Sequence, residues 1–299
     1  MRLEPEAASQ TPVAAPSAIW DYFELTKPNV VWLILMSTMV GFYVGSSTQL
    51  HVSQLIHTVL ATALLAGGCG ALNQWWERDL DARMTRTENR PLPSGRVSAN
   101  GSLWFGLAVS VGGVIYLAVA VNWLSAVIGA LTVLSYVAIY TPLKTRSPLA
   151  TFVGAVPGAA PLLLGWAAAR NALGLEAWVL FFILFLWQFP HFYAIGWLYR
   201  EEYRRAGVQM LPVIEKDGAG TGRHVVLYGF NLIPVSAAPW VLGLAGPVYG
   251  VAAIILGCLY LAAGIKMARH RTEQHARTLL RVSVIYLPLL YLFLIADKA

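Results

Sequence analysis

The sequence predicts an all-α, polytopic membrane protein of nine transmembrane helices, and three observations lead there. Of 299 residues, 57% are hydrophobic and only 12% charged, with a mean hydropathy of +0.60. That leaves too little polar surface to coat a water-soluble globule. Apolar runs long enough to cross the hydrocarbon of a bilayer recur nine times along the chain. Lys and Arg gather between alternate runs, which orients the whole chain.

Taken in order, residues 1–24 are rich in Ala, Pro, Ser and Glu and hold no apolar core. They read as a mobile tail rather than a cleaved secretory signal, leaving 25–299 as one membrane domain. Spans follow near 29–47, 53–76, 102–121, 123–141, 149–169, 176–199, 224–243, 247–266 and 279–296. The third and fourth, and the seventh and eighth, are joined by only two or three residues, which suits tight helical hairpins. Gly41-x-x-x-Gly45, Gly67-Gly68-Cys69-Gly70 and Gly154-x-x-x-Gly158 let backbones approach closely in lipid. Pro157, Pro161 and Pro190 fall inside spans, where a missing backbone donor bends or locally opens the helix and so permits a cavity. Cys69 and Cys258 lie in apolar stretches and read as small buried hydrophobes.

Orientation comes from the basic residues. Arg2 and Lys27 precede the first span, and Arg78 to Arg96 follow the second. Lys144 and Arg146 follow the fourth, Arg200 to Arg223 the sixth, and Lys266 to Arg281 the eighth. Of 21 Lys and Arg, only Arg170 and Lys298 fall on the other side. The N-terminus and the long loops are therefore expected in the cytoplasm and the C-terminus outside. A missed or invented span would scramble this bias.

Ionisable residues at the hydrocarbon boundary invite a functional reading. The second span runs into Asn73-Gln-Trp-Trp-Glu77-Arg-Asp79-Leu-Asp81. Continued as a helix, this places Asn73, Glu77 and Asp81 on one face, with Asp79 elsewhere. Three oxygen-bearing side chains in a row repel unless a cation sits among them, and hard oxygen ligands suit Mg²⁺, which usually joins a few carboxylates to substrate phosphates. The Arg83, Arg86, Arg90 and Arg96 that follow offer planar forks matched to phosphate oxygens. An ordinary positive loop with compensating acids is the plainer reading of the same residues. A second acidic stretch, Tyr199-Arg-Glu201-Glu202-Tyr-Arg-Arg-Ala206, follows the sixth span on the same face, and Tyr140-Thr-Pro-Leu-Lys144-Thr-Arg146 lies between them. The two acid-and-arginine clusters can meet above one cavity. Lys216-Asp-Gly218-Ala-Gly220-Thr-Gly222 lacks the ending of a nucleotide loop and reads as a flexible connector.

Asn73-x-x-x-Glu77-x-x-x-Asp81, with Met84-Thr-Arg86-Thr87-x-x-Arg90-Pro91-Leu92 after it, resembles the first acidic motif of the membrane-embedded aromatic prenyltransferase superfamily. Leu25-Thr-Lys27-Pro28, the Tyr140 to Lys144 loop, Trp187-Gln-Phe-Pro190-His191-Phe and Tyr203…Met210-Leu-Pro212-Val are similar to its branch that farnesylates protohaem IX, over residues 25 to 295. Glu77 stands where the superfamily usually has Asp. Glu202 takes the usual Asp position of the second motif, and Ala206 stands where that motif's second acid would be.

The resemblance implies nine helices around a central cavity opening to the cytoplasmic side of a bacterial plasma membrane. It implies Mg²⁺ held by Glu77, Asp81 and Glu202 with help from Asn73, gripping the diphosphate of farnesyl diphosphate. Arg86, Arg90, Lys144 and Arg146 would neutralise the leaving group, and the vinyl group of haem B would attack the allylic cation, with water addition, to give haem O for terminal oxidases. His191, in a proline-bearing span among aromatics, becomes a candidate for contact with the porphyrin or its iron, beside the plainer reading of a structural histidine. A haem A synthase or an oxidase assembly factor is the candidate partner.

Overall fold

The computed structural model describes residues 18–46 and 49–299. Among them nine helices are long and apolar enough to cross a membrane. They are α2 (Pro28–Gly45), α3 (Val52–Asp81), α4 (Ala99–Ala120), a composite fourth span, α7 (Ala150–Arg170), α8 (Leu175–Leu198), α11 (Ala219–Val241), α12 (Pro247–His270) and α13 (Glu273–Ala296). The composite span is α5 (Trp123–Leu134) running through a π-helical turn (Ser135–Tyr140) into a short α6 (Thr141–Leu143). Three short helices lie at its ends: α1 (Ala18–Leu25), α9 (Arg200–Ala206) and α10 (Leu211–Ile214).

Each expected span is present, but several helices run past the apolar stretch that reveals them. α3 continues to Asp81, five residues beyond the expected end at 76, and α13 begins at Glu273 rather than near 279. An apolar run marks only the hydrocarbon crossing, whereas a helix continues into the polar boundary until a cap or turn stops it. At α13 that cap is Thr272, whose side chain accepts from the His275 N–H.

Three sequence expectations change. Residues 1–17 of the expected tail lie outside the described residues, but 18–25 form α1, held by Asp21 and Glu24 paired to Arg96 and by Leu25, which is fully buried. The glycine-rich stretch read as a connector is half helix. Gly218 adopts the left-handed conformation at the N-cap of α11, and the Glu215 carboxylate accepts from Thr221 N (2.8 Å) and Oγ1 (2.9 Å) across the first turn. Cys258, read as buried, faces outward, since an apolar stretch in lipid has no inside preference of its own.

The helices close into a ring in two halves. α2, α3, α4, α5 and α7 pack together, as do α8, α11, α12 and α13, and contacts of α7 with α8 and of α13 with α2 join the halves. α7 and α8 are the most deeply buried spans, with Pro157, Pro161 and Pro190 inside continuous helix. α2 and α7 approach closely because each offers glycine to the other's backbone: Gly41 meets Leu162, and Gly165 meets the Thr38 carbonyl. Around the outside, exposed Leu, Ile, Val and Trp form the surface that lipid covers.

Candidate functional site

The row expected on α3 is real and buried. Asn73, Glu77 and Asp81 are exposed by 1, 6 and 1%. Such burial needs compensating charge, and a basic side chain from a different stretch of chain meets each member. Lys27, just before α2, donates to Asn73 Oδ1 at 2.5 Å. Lys144, just after α6, places Nζ 2.6 Å from Glu77 Oε1. Arg90, in the loop after α3, donates through Nη1 to Asp81 Oδ1 and Oδ2 at 2.9 and 2.8 Å. Asn73 also donates from Nδ2 to Thr141 Oγ1 at 3.2 Å.

Local structure explains these positions. Thr87 Oγ1 donates to the Asp81 carbonyl at 2.8 Å, folding the loop back over the end of α3 so that Arg90 returns to Asp81. The π-helical turn rewinds the fourth span, and Thr141 Oγ1 donates to Tyr136 O at 2.8 Å within it. Thr141 thereby faces Asn73 while Lys144 sits over the Tyr140 ring at 4.6 Å and reaches Glu77.

The charges differ in how firmly they are held. Burial, with the Arg90 guanidinium nearby, draws the Lys27 ammonium down to about 7. Burial also works against the charge of Lys144, but the Glu77 carboxylate prevails and holds its ammonium well above the usual lysine range. Lys27 belongs to Leu25-Thr-Lys27-Pro28, a stretch similar to the protohaem-farnesylating branch, but nothing local to that stretch points to Asn73.

The second acidic stretch closes over the first. Gln209 N donates to the Lys144 carbonyl at 2.7 Å, and Arg86 Nη2 donates to Tyr203 Oη at 3.4 Å with its guanidinium over the Tyr199 ring. A cavity of about 210 Å³ lies between, lined by Trp76, Glu77, Asp79, Arg83, Thr141 and Ala206 among others. Ala206 thus presents a methyl group where the second motif would place an acid. Asp79, expected off the functional face, is well exposed yet stands at the cavity rim. Glu201 is a surface residue bound to Arg204 at 2.7 Å. Arg146 is exposed and makes no side-chain contact with the cluster among the described residues.

Among the described residues, no three His, Cys, Asp or Glu side chains converge as a metal cage. Of Glu77, Asp81 and Glu202, Glu77 lines the cavity. Glu202 Oε2 is buried with no hydrogen-bond partner among the described residues, whereas Glu77 Oε1 is held by the Lys144 ammonium at 2.6 Å. Buried carboxylate oxygens lacking donors suit an incoming cation, and an ion sharing ligands with phosphate needs no complete protein cage.

His191 lies apart, deep in α8, stacked on Trp187 at 4.6 Å. Its Nδ1 is 2.7 Å from Ser283 Oγ, whose hydroxyl is committed to the Leu280 carbonyl at 2.6 Å. Nδ1 must then be the donor, which leaves Nε2 with a bare lone pair.

The UbiA prenyltransferase family model matches residues 34–288. A protoheme IX farnesyltransferase of Solibacter usitatus (strain Ellin6076) is 50% identical over 287 residues, spanning 93% of this chain and 98% of that protein. The one of Koribacter versatilis (strain Ellin345) is 42% identical over 302 residues, spanning 96% and 97%. The fold matches that of a digeranylgeranylglyceryl phosphate synthase with TM-score 0.80 at 16% identity, over 94% of this chain and 99% of the other. A UbiA homolog from Archaeoglobus fulgidus bound to DMAPP and Mg²⁺ matches with TM-score 0.66 at 16% identity, over 92% and 99%.

Proposed function

The chain belongs to the UbiA prenyltransferase family, and we propose that it transfers the farnesyl group of farnesyl diphosphate to a vinyl group of protohaem IX, giving haem O and diphosphate. The observation that carries this reading is the buried row Asn73, Glu77 and Asp81, each met by a basic side chain from another segment, with Glu77 lining a small cavity. Relatives bearing the protoheme IX farnesyltransferase name at 50 and 42% identity support the choice of acceptor.

Farnesyl transfer needs a leaving diphosphate stabilised as the C1–O bond breaks. Arg90 and Lys144 are paired with Asp81 and Glu77, and Arg86 bridges to Tyr203 of the second acidic stretch. An arriving diphosphate competes with the two carboxylates for Arg90 and Lys144. Glu77 and Asp81 so released, together with the unpaired Glu202 and with Asn73 beside them, are the residues to hold magnesium. That ion, when bound, neutralises diphosphate charge and makes it a better leaving group. The allylic cation left behind forms a carbon–carbon bond from its C1 to the terminal carbon of the vinyl group. Water then adds to the inner vinyl carbon and loses a proton.

His191, with Nε2 free, is the candidate ligand for haem iron, and Trp187 gives it a stacked support. The cavity of about 210 Å³ is smaller than the ~300–1,000 Å³ usual for ligand sites. Admission of a porphyrin therefore requires side chains or helices to move. The chain is a multi-pass membrane protein. Its basic bias supports an orientation with the acid-rich end and the N-terminus in the cytoplasm of a bacterium and the C-terminus outside, and a haem A synthase or an oxidase assembly factor is the candidate recipient of product.

Purified protein reconstituted with farnesyl diphosphate and Mg²⁺ is offered haem B or 4-hydroxybenzoate, and products are weighed by mass spectrometry. The expected product is a haem heavier by one farnesyl group and one hydroxyl group. Prenylation of the benzoate alone would overturn the assignment.

A further inference from the structure

At the end of the bundle away from the acid cluster lies a second cavity, of about 580 Å³, within the ~300–1,000 Å³ usual for ligand sites. Tyr43, Leu50, Arg170, Leu244, Ile295 and Lys298 are among its lining residues. Arg170 and Lys298 are the two basic residues that the charge bias leaves on this side of the membrane. They come from opposite halves of the helix ring, and the fold brings both to one cavity.

Each is built into place. Lys298 Nζ donates to the Tyr43 and Ser46 carbonyls at 2.8 and 2.7 Å and lies over the Tyr43 ring at 4.6 Å. Its backbone is fixed by pairing of the last residues with the loop before α12: Gly246 N donates to Asp297 O at 2.7 Å and Ala299 N to Leu244 O at 3.2 Å. Arg170 Nε donates to the Gly45 carbonyl at 2.6 Å, and its guanidinium lies 5.2 Å from the Trp166 ring centre. The carbonyls at the C-terminus of α2 attract cations through the helix dipole, and one cation would satisfy that role. Two are present, and they repel. Besides burial, Arg170 is what lowers the affinity of Lys298 for its proton.

Among the described residues no carboxylate lies within 4.0 Å of either cation. The Asp297 carboxylate, next in sequence to Lys298, is turned to the start of α12, where it accepts from Tyr249 N at 2.8 Å. The terminal nitrogens of Arg170 have no hydrogen-bond partner among the described residues, which leaves the paired donors of its fork available.

We propose that this cavity binds a phosphate group on the paired charges of Arg170 and Lys298, carried as the headgroup of an anionic phospholipid in the leaflet at this end. The Arg170 fork matches two phosphate oxygens, and Lys298 adds a point charge. Leu50, Leu244 and Ile295 give the headgroup's glycerol and upper chains an apolar rim. The site is independent of the transfer reaction at the other end.

The test uses full-length protein purified in neutral detergent. Native mass spectrometry and thermal shift are run with phosphatidylglycerol, with diacylglycerol of the same chains, and with millimolar inorganic phosphate. The expected result is one retained phosphatidylglycerol per chain and a rise in Tm that diacylglycerol does not give. Combining Arg170→Gln with Lys298→Gln should weaken retention about tenfold or more, as loss of two charge-assisted contacts implies. Arg170→Lys should weaken it by less. Should the double variant not fold, Leu50→Glu leaves both anchors intact and should repel the headgroup to the same extent. A Tm rise with inorganic phosphate equal to that with the lipid supports the phosphate site and identifies its source as free anion. Equal retention of phosphatidylglycerol and diacylglycerol, or retention unchanged in both variants, overturns the proposal.

Discussion

The two ends of the bundle handle charge in opposite ways. At the acid-rich end the Asn73, Glu77 and Asp81 row of α3 is matched by basic side chains from other segments: Asn73 by Lys27, Glu77 by Lys144, Asp81 by Arg90. At the other end Arg170 and Lys298 are held by backbone carbonyls with no acid between them. Matched charges make a site that is stable when empty and must exchange partners to work. Unmatched charges make a site that gains when an anion arrives. Counting basic residues per loop does not separate the two cases, because what differs is the partner and not the charge.

The largest expected effect tests whether the matched pairs are catalytic or merely structural. Glu77→Gln should slow diphosphate release by about 10²–10³-fold, the scale set by removing one pre-organised transition-state contact, as measured by single-turnover release. An unchanged rate would reduce the α3 row to an ion-paired helix end. Asp81→Asn should lower both rate and Tm, since it strands Arg90 beside a buried position. Adding Arg90→Leu should recover Tm and leave the rate low, with a coupling of about 1–3 kcal/mol in the double-mutant cycle. Recovery of both would show that the pair has no chemical role.

Glu202 sharpens the contrast within the acid-rich end, since its Oε2 is buried without a donor. Glu202→Gln should cost about tenfold in rate, as expected for one missing ligand or orienting contact, while Tm stays level or rises because an unsatisfied buried charge is removed. A fall in Tm with no loss of rate would assign it to folding. The smallest effect belongs to Arg146, which is exposed and touches nothing in the cluster. Arg146→Gln should leave steady-state turnover within about twofold, the range of an ordinary surface substitution. A larger loss would mean that the loop after α6 moves inward when substrate binds.

Much of this was legible in the sequence. The nine spans follow from apolar length, and the α3 row follows from four-residue spacing, because both are local consequences of helix geometry. Lys27 was not legible as a site residue. Its motif precedes a span, and only the packing of α2 beside α3 takes its ammonium to Asn73. Nor was the π-helical turn, for Ser135–Tyr140 reads as ordinary apolar helix, yet its extra residue sets which way Thr141 and Lys144 face. Arg146, two residues past Lys144, shares its charge and loop, and the backbone turn after α6 leaves it exposed.

Helix length, membrane class and the spacing of the acids were determined by the chain alone, since each depends on residues within a few turns of one another. Tertiary structure decided which cation meets which acid and that Arg170 and Lys298, 128 positions apart, line one cavity. An electrostatic contact a few ångströms long between side chains on separate helices leaves no trace in either helix's own periodicity.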